Sequence, residues 1–389
     1  MTKAMGRGKV LHVCLACFYI DGYAYQENLL PRAHRRDGWE VEILASLLNF
    51  NDRGRLFEEE DERQYINEDG IPVRRIAYAR LPLSRRLRLY RGLSKQLHQS
   101  RPDIIFVHGP QFLDALRLVR YARAHPNVRV FVDNHADSNN SAMGWASRRF
   151  LHGLVWRWIA KILDGVTVRF YGVLPSRVAF LEKVYGLPST RIQLLPLGAD
   201  DEVVDKITAR SVSELRESFS LPRGRKLMVT GGKVDENKRE MLDFLRAFRE
   251  SPEEWDLAVF GTVIDEYRSE FEQLLNSPRI HWLGWLSAER SMEALASADV
   301  VAFAGLHSVM WEQAVAMGKP LMVRRIDGTE HLNFGANILL LPSGSVKSIA
   351  ATIRRLGEEP DLLPMLVRGA MGPERRAFLY GDIAEASLR

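Results

Sequence analysis

Leu227-Met228-Val229-Thr230-Gly231-Gly232-Lys233-Val234-Asp235-Glu236-Asn237-Lys238 decides how this chain is read. The run 227–230 is short and apolar, as a buried strand is, and the segment 239–250 that follows has helical spacing. Glycines after a strand let the backbone approach a ligand closely. The next helix N-terminus offers N–H groups and the positive end of a dipole to an anion. Lys233 and Lys238 add two mobile positive charges. Together these parts suit a diphosphate at the carboxyl end of a parallel sheet. Taken singly, a glycine turn beside two exposed lysines is also a common surface feature.

The same alternation runs outward in both directions. Residues 10–15, 40–45, 104–108, 128–132, 165–168 and 192–195 read as buried strands, and 227–230, 257–260, 280–283, 300–303 and 320–323 form a second series. Helix-length segments such as 114–124, 239–250, 264–275 and 309–317 lie between them. Buried strands alternating with helices imply parallel sheets with right-handed crossovers. A charged stretch with Gly198, Pro222 and Gly224 separates the series. The expected division is therefore a domain over 1–200, a second over 201–370, and a tail, 371–389, that packs back on the first. At roughly 100–200 residues per domain, 389 residues favour two domains.

Composition narrows the class. Apolar residues make 46% and charged residues 26%, enough apolar surface to bury a core and too much for disorder. Two cysteines in so long a chain argue against a disulfide-stapled secreted protein. Cys14 and Cys17 form Cys-x-x-Cys without a second pair, so they read as small buried residues rather than a redox or zinc site. His98, His108, His125 and His152 show no metal-ligand spacing. No apolar run reaches the roughly 18–20 residues that span a bilayer, and the expected location is cytoplasmic. The net charge of +5 is unevenly placed. Residues 58–69 are acidic, whereas 71–101 carries Arg74, Arg75, Arg80, Arg85, Arg86, Arg88, Arg91, Lys95 and Arg101 and no acid. The stretch 145–163, from Trp145 to Leu163, sets Leu151, Leu154, Val155, Trp158, Ile159 and Ile162 at helical spacing with Arg149, Arg157 and Lys161 on another face. Basic amphipathic helices of this kind suit an anionic membrane surface, on the inner face of the cell membrane. The plainer reading is surface helices with solvated arginines. A nucleic-acid partner is not expected, because no binding motif accompanies the charge.

The order of motifs resembles the retaining nucleotide-sugar glycosyltransferases of the glycosyltransferase-B (GT-B) fold, in the large family four. Asp21-Gly22-Tyr23 stands where that family has a glycine-containing loop, followed by Tyr25-Gln26-Glu27-Asn28. Asp37-Gly38-Trp39-Glu40-Val41 looks like its G-H-x-V, and Leu195-Pro196-Leu197-Gly198-Ala199-Asp200 like its P-N-G-V-D. Glu312-Gln313-Ala314-Val315-Ala316-Met317-Gly318-Lys319-Pro320 resembles E-A-M-A-x-G-x-P, the most specific match. The resemblance implies an α/β fold of two Rossmann-like parallel-sheet domains facing each other across a cleft.

It also implies roles. Lys233 and Lys238, with Gly231 and Gly232, would hold the diphosphate of a UDP- or GDP-sugar, and Glu312 the ribose. Gly305, His307 and Ser308 would lie beside sugar and diphosphate, and His135 would touch the donor sugar. Asp21, Gly22 and Tyr23 would form an acceptor or phosphate loop. Read alone, Glu312 is a helix-start acid that complements the dipole, and His135 is a loop histidine. One departure is clear: the family's paired glutamates, E-x7-E, become Ala304 and Glu312. The implied activity is metal-independent, retaining transfer to an acceptor hydroxyl on a lipid-linked or envelope glycan, with no cofactor. The chain contains no Asp-x-Asp for a divalent-metal clamp. A nucleotide-sugar epimerase or hydrolase, or a non-catalytic partner, is the alternative on the same fold.

Overall fold

A computed structural model describes residues 7–50, 56–137, 147–236, 238–326 and 328–389, with the backbone alone for 147 and 148. The chain forms two compact units, one running to Pro196 and including Tyr380–Arg389, the other Leu197–Leu379.

The first unit is built on ten strands: β1 (Lys9–Cys14), β2 (Glu40–Ser46), β3 (Leu48–Phe50), β4 (Leu56–Glu58), β5 (Arg63–Ile66), β6 (Pro72–Ile76), β7 (Ile104–His108), β8 (Arg129–Asn134), β9 (Thr167–Gly172) and β10 (Ile192–Leu194). Eight form one sheet in the order β10-β9-β8-β7-β1-β2-β6-β5, parallel except for β5, which pairs antiparallel with β6. Strands β3 and β4 form a separate antiparallel pair. The central strands β1, β7 and β8 are buried along almost their whole length, as strands covered on both faces must be. One face packs Leu118, Val119, Ile159, Leu163 and Leu181. The other packs Leu29, Leu30 and Ala33 of helix Gln26–Arg36 with Tyr380, Ile383 and Ala384 of helix Tyr380–Ser387.

The second unit holds β11 (Lys226–Val234), β12 (Trp255–Val263), β13 (Ile280–Trp282), β14 (Val300–Phe303), β15 (Leu321–Arg324) and β16 (Ile338–Leu341). They form one parallel sheet ordered β13-β12-β11-β14-β15-β16. Numbered within the unit, this is 3-2-1-4-5-6, the doubly wound order that binds ligands where the winding reverses. The parallel strands of the first unit repeat the pattern, reversing between β1 and β7. The expected α/β class of two Rossmann-like parallel-sheet units is what the structure shows.

Four departures from the sequence reading have physical causes. Strands β4 to β6 arise in and beside the acidic-to-basic stretch, because the two charge runs pair with each other: Glu58 lies 2.7 Å from Arg85, Glu59 3.9 Å from Arg75 and Glu62 3.5 Å from Arg91. Residues 74–101 are therefore not one basic helix; they hold the end of β6, helix Ser84–Leu87 and helix Leu93–Ser100. Arg75 is fully buried, donating to the Ser46 and Tyr19 carbonyls and lying 3.1 Å from Asp21 Oδ2. In the stretch 145–163, Trp145 falls outside the described residues; Ser147–Trp156 is π-helical and Arg157–Asp164 is α-helical. Trp156, Ile159 and Leu163 face the core, while Phe150, Leu154 and Trp158 are 52%, 61% and 51% exposed. Among the described residues no helix is long and apolar enough to cross a membrane.

Candidate functional site

Each unit carries a cavity at the point where its winding reverses. In the second unit a cleft of about 120 Å³ is lined by Gly231, Gly232, Lys233 and Lys238 after the core of β11, by Glu240, Met241 and Phe244 of helix Glu240–Arg249, and by Phe303, Ala304, Gly305, Leu306, Ser308 and Met310 after β14. The glycines lie within β11 rather than in a turn after it, for two different reasons. A Cβ on Gly231 would come 2.4 Å from the Phe260 ring, so this glycine serves packing. Gly232 has φ +131° with open space where a Cβ would stand, so it is needed for backbone conformation and leaves the cleft clear.

The cations border this opening. Lys233 and Lys238 are exposed, with Lys233 Nζ 3.1 Å from Asp235. The Lys238 N–H donates to the Asp235 carbonyl at 3.0 Å, closing the turn that precedes helix Glu240–Arg249. The N-cap residue of that helix, Arg239, makes no side-chain cap hydrogen bond among the described residues. Glu240 reaches toward Gly305, where a Cβ would sit 3.5 Å from its Oε2, and Arg324 Nη1 lies 3.6 Å from its Oε1.

Glu312 sits in helix Met310–Ala316 and is fully buried. Its Oε1 accepts from His307 Nε2 at 2.7 Å and from His331 Nε2 at 3.3 Å. Burial would raise its pKa, but His307 and then His331 hold it below the usual glutamate range, so the carboxylate stays ionised. Its Oε2 has no hydrogen-bond partner among the described residues. A buried carboxylate oxygen without a donor is costly unless a ligand hydroxyl supplies one. His307 and Glu312 do not line the cleft themselves; Gly305 and Ser308 do. Sequence reading missed His331, Glu240 and Arg324, which reach the site from other elements at no fixed spacing from it.

The first unit's pocket, about 550 Å³, is lined by Ala16, Cys17 and Phe18 after β1, Tyr25, Glu27, Phe50, Arg86, Arg88, Gln111, His135 and Ala136, and by Leu151, His152 and Trp156. His135 follows β8, with Nε2 3.4 Å from Asp133 Oδ2 and 4.0 Å from Glu27 Oε1. Cys14 is buried as expected, whereas Cys17 is half-buried at the pocket, its thiol pushed up by burial. The expected loop Asp21-Gly22-Tyr23 does not line this pocket. Asp21 Oδ2 accepts from Tyr65 and Arg75, the Gly22 N–H donates to Glu68 at 2.9 Å, and the Tyr23 ring lies tilted against Tyr25 and Phe50. Structure also groups what sequence spacing separates: ligand atoms of Glu27, His108 and His135 lie within 4.8 Å of one another. His108, however, has both ring nitrogens in hydrogen bonds, to Asp133 and His12, and so has no lone pair to offer a metal.

Comparison with known proteins places these features in a family. A glycosyl transferase 4-like domain matches residues 24–198 and a glycosyl transferases group 1 domain matches 225–359, together most of the chain. No curated protein matches significantly. Among solved structures, Anabaena HepE in complex with UDP is 13% identical with a TM-score of 0.68, over 97% of this chain and 98% of that one. WaaG, a glycosyltransferase involved in lipopolysaccharide biosynthesis, is 14% identical with a TM-score of 0.63 over 97% and 99%. The UDP-GlcNAc 2-epimerase of Neisseria meningitidis, bound to UDP-GlcNAc, is 12% identical with a TM-score of 0.59 over 97% and 98%. At such identities the likeness is one of fold; the family rests on the two domain matches. The chain belongs to the glycosyltransferases of the GT-B fold, with a 4-like domain followed by a group 1 domain.

Proposed function

We propose that this glycosyltransferase takes its sugar from a nucleoside diphosphate sugar, UDP- or GDP-linked, held in the second unit, and delivers it with retention to a hydroxyl of an acceptor. The observation that carries the reading is the β11–β14 cleft, bordered by two exposed lysines, together with Glu312 of helix Met310–Ala316, outside the cleft lining, whose Oε2 has no donor among the described residues. In the reaction the bond from the anomeric carbon to the β-phosphate oxygen breaks and its electron pair stays on the phosphate. The acceptor oxygen bonds to the anomeric carbon, and its proton passes to the leaving diphosphate. Lys233, Lys238 and the start of helix Glu240–Arg249 stabilise that growing phosphate charge more than the ground state, which lowers the barrier. No metal ion enters this scheme, because the two lysines carry the neutralising charge. The Glu312 carboxylate accepts from the ribose hydroxyls. The role we propose for His135 is contact with the donor sugar.

The acceptor we propose is a lipid-linked or envelope glycan at an anionic membrane surface. Exposed Phe150, Leu154 and Trp158 beside Arg157 and Lys161 support that reading. The test is thermal stabilisation by UDP and GDP, then turnover across a panel of nucleotide sugars, with Lys238→Ala as control. A chain that no nucleoside diphosphate stabilises at millimolar concentration does not work this way. Incubating donor without acceptor separates transfer from epimerisation or hydrolysis by the product formed.

A further inference from the structure

Buried hydrogen bonds cross the first unit from the wall of its pocket to helix Tyr380–Ser387. His108 Nδ1 lies 2.8 Å from Asp133 Oδ2. His108 Nε2 lies 3.0 Å from His12 Nδ1, and His12 Nε2 3.0 Å from His34 Nδ1. His34 Nε2 ends the chain, 2.9 Å from Ser387 Oγ and 3.3 Å from the Ala384 carbonyl oxygen. Asp133, the three histidines and Ser387 are all buried.

Because every nitrogen of the three rings is engaged, the protons can be counted from the carbonyl end. A carbonyl oxygen only accepts; with the Ser387 hydroxyl turned to that same carbonyl, 2.9 Å away, His34 Nε2 carries a proton, whereas a hydroxyl turned to His34 would leave all three rings neutral. A neutral His34 then accepts at Nδ1, which requires His12 to donate from Nε2. Neutral His12 accepts at Nδ1, which requires His108 to donate from Nε2. His108 Nδ1 faces a carboxylate oxygen, where a proton is held as well. The chain thus holds one proton more than three neutral imidazoles, and the place for it is the end that has a carboxylate.

We infer that the backbone carbonyl of Ala384, acting through His34 and His12, holds His108 as an imidazolium against ionised Asp133, and that the charge of this fixed carboxylate, 3.4 Å from His135 Nε2, orients His135 on the pocket wall. His12, His34, His108 and Asp133 are positioning residues in this scheme; His135 is the group they position. The electrostatics agree. Burial would lower the pKa of His108, but Asp133 reverses that and pushes it up to about 10. Burial lowers His34 to about 3 and takes His12 well below its usual value. Burial would raise the pKa of Asp133, but His108 and then His135 bring it down. Cys14 on β1 and Glu27 at the start of helix Gln26–Arg36 also face His108, and both raise its pKa.

The relay gives His135 its orientation and so rests in part on the proposed transfer, yet its own test needs no activity. Histidine-selective ¹⁵N labelling of the full chain reads ring protonation directly. At pH 8 both nitrogens of His108 are expected at imidazolium shifts, with His12 and His34 as Nε2–H neutral tautomers and a proton on the His135 Nε2 that faces Asp133. In His34→Leu, one His108 nitrogen should move to the unprotonated range at pH 8, and His135 should become a mixture of tautomers. Asp133→Asn should also neutralise His108, and it serves if His34→Leu does not fold. Ser387→Ala keeps the carbonyl and should leave every ring unchanged. A wild-type His108 with an unprotonated nitrogen at pH 8 overturns the inference, as does a His135 tautomer indifferent to both variants. If the relay is found but no nucleotide sugar turns over, the transfer reading fails and the relay stands.

Discussion

The two units share a strand order and treat charge in opposite ways. In the first, buried Arg75 and His108 each lie against a carboxylate, Asp21 and Asp133. In the second, Lys233 and Lys238 at the winding reversal stay exposed at the opening of the cleft. Removing one partner of a closed network costs stability. Removing a group from an open one costs ligand affinity and leaves the fold alone.

That contrast can be broken by experiment. Arg75→Ala removes a buried guanidinium from Asp21 and from the Ser46 and Tyr19 carbonyls and should cost about 3–5 kcal/mol of stability, read by denaturant unfolding. Nucleotide binding by the second unit should survive below the new midpoint. Lys238→Ala should do the reverse, lowering kcat/KM by roughly 10²–10³-fold with Tm unchanged in the absence of nucleotide. If Lys238→Ala destabilises the apoprotein as Arg75→Ala does, the distinction between closed and open networks is lost.

Stability against pH should show the buried relay. Below about pH 6.5 the unfolded chain protonates His12, His34 and His108, whereas the folded chain keeps one proton among them. Unfolding then takes up two protons, so these rings remove stability as pH falls from about 6.5 toward 3, by up to about 2.7 kcal/mol per pH unit. Above pH 6.5 only folded His108 is protonated. Its contribution is complete below about 6.5 and is lost as pH rises toward about 10, by about 1.4 kcal/mol per unit. Equilibrium unfolding from pH 4 to 9 should therefore show a maximum with the steeper fall on the acid side, and His34→Leu should flatten that fall. Glu312→Gln should weaken nucleoside diphosphate binding by about tenfold, or 1.4 kcal/mol, measured by calorimetry. The smallest effect is expected at the surface: Trp158→Ser should change stability by no more than about 0.5 kcal/mol while reducing sedimentation with anionic vesicles.

Much of this was legible in the sequence. Long buried strands such as 104–108 and 300–303 are continuous apolar runs, and they appear where periodicity puts them. The cleft was legible too, since Gly231, Lys233, Lys238, Gly305 and Ser308 follow strands in one unit and meet at one sheet end. Strands β4 to β6 were not, because their pairing comes from charges that local hydropathy reads as solvated. Residues 165–168 were placed early; Thr167–Gly172 holds the strand, and its Arg169 and Tyr171 mask the apolar pattern. His12, His34 and His108 look like scattered single histidines, since 96 residues separate His12 from His108 and only the sheet brings them together.

Helix Tyr380–Ser387 has a further consequence, for the order of assembly. The second unit is one unbroken segment, Leu197–Leu379, whereas the first is split, with its final piece made after all of the second. During synthesis the unit begun first is the one completed last. Until residues 380–389 emerge, the face of its sheet that receives Tyr380, Ile383, Ala384 and Leu388 is uncovered, and His34 has no carbonyl to meet. Damage at the carboxyl end of the chain would thus be felt in the amino-terminal unit, as a half-covered sheet open to association with other chains during translation.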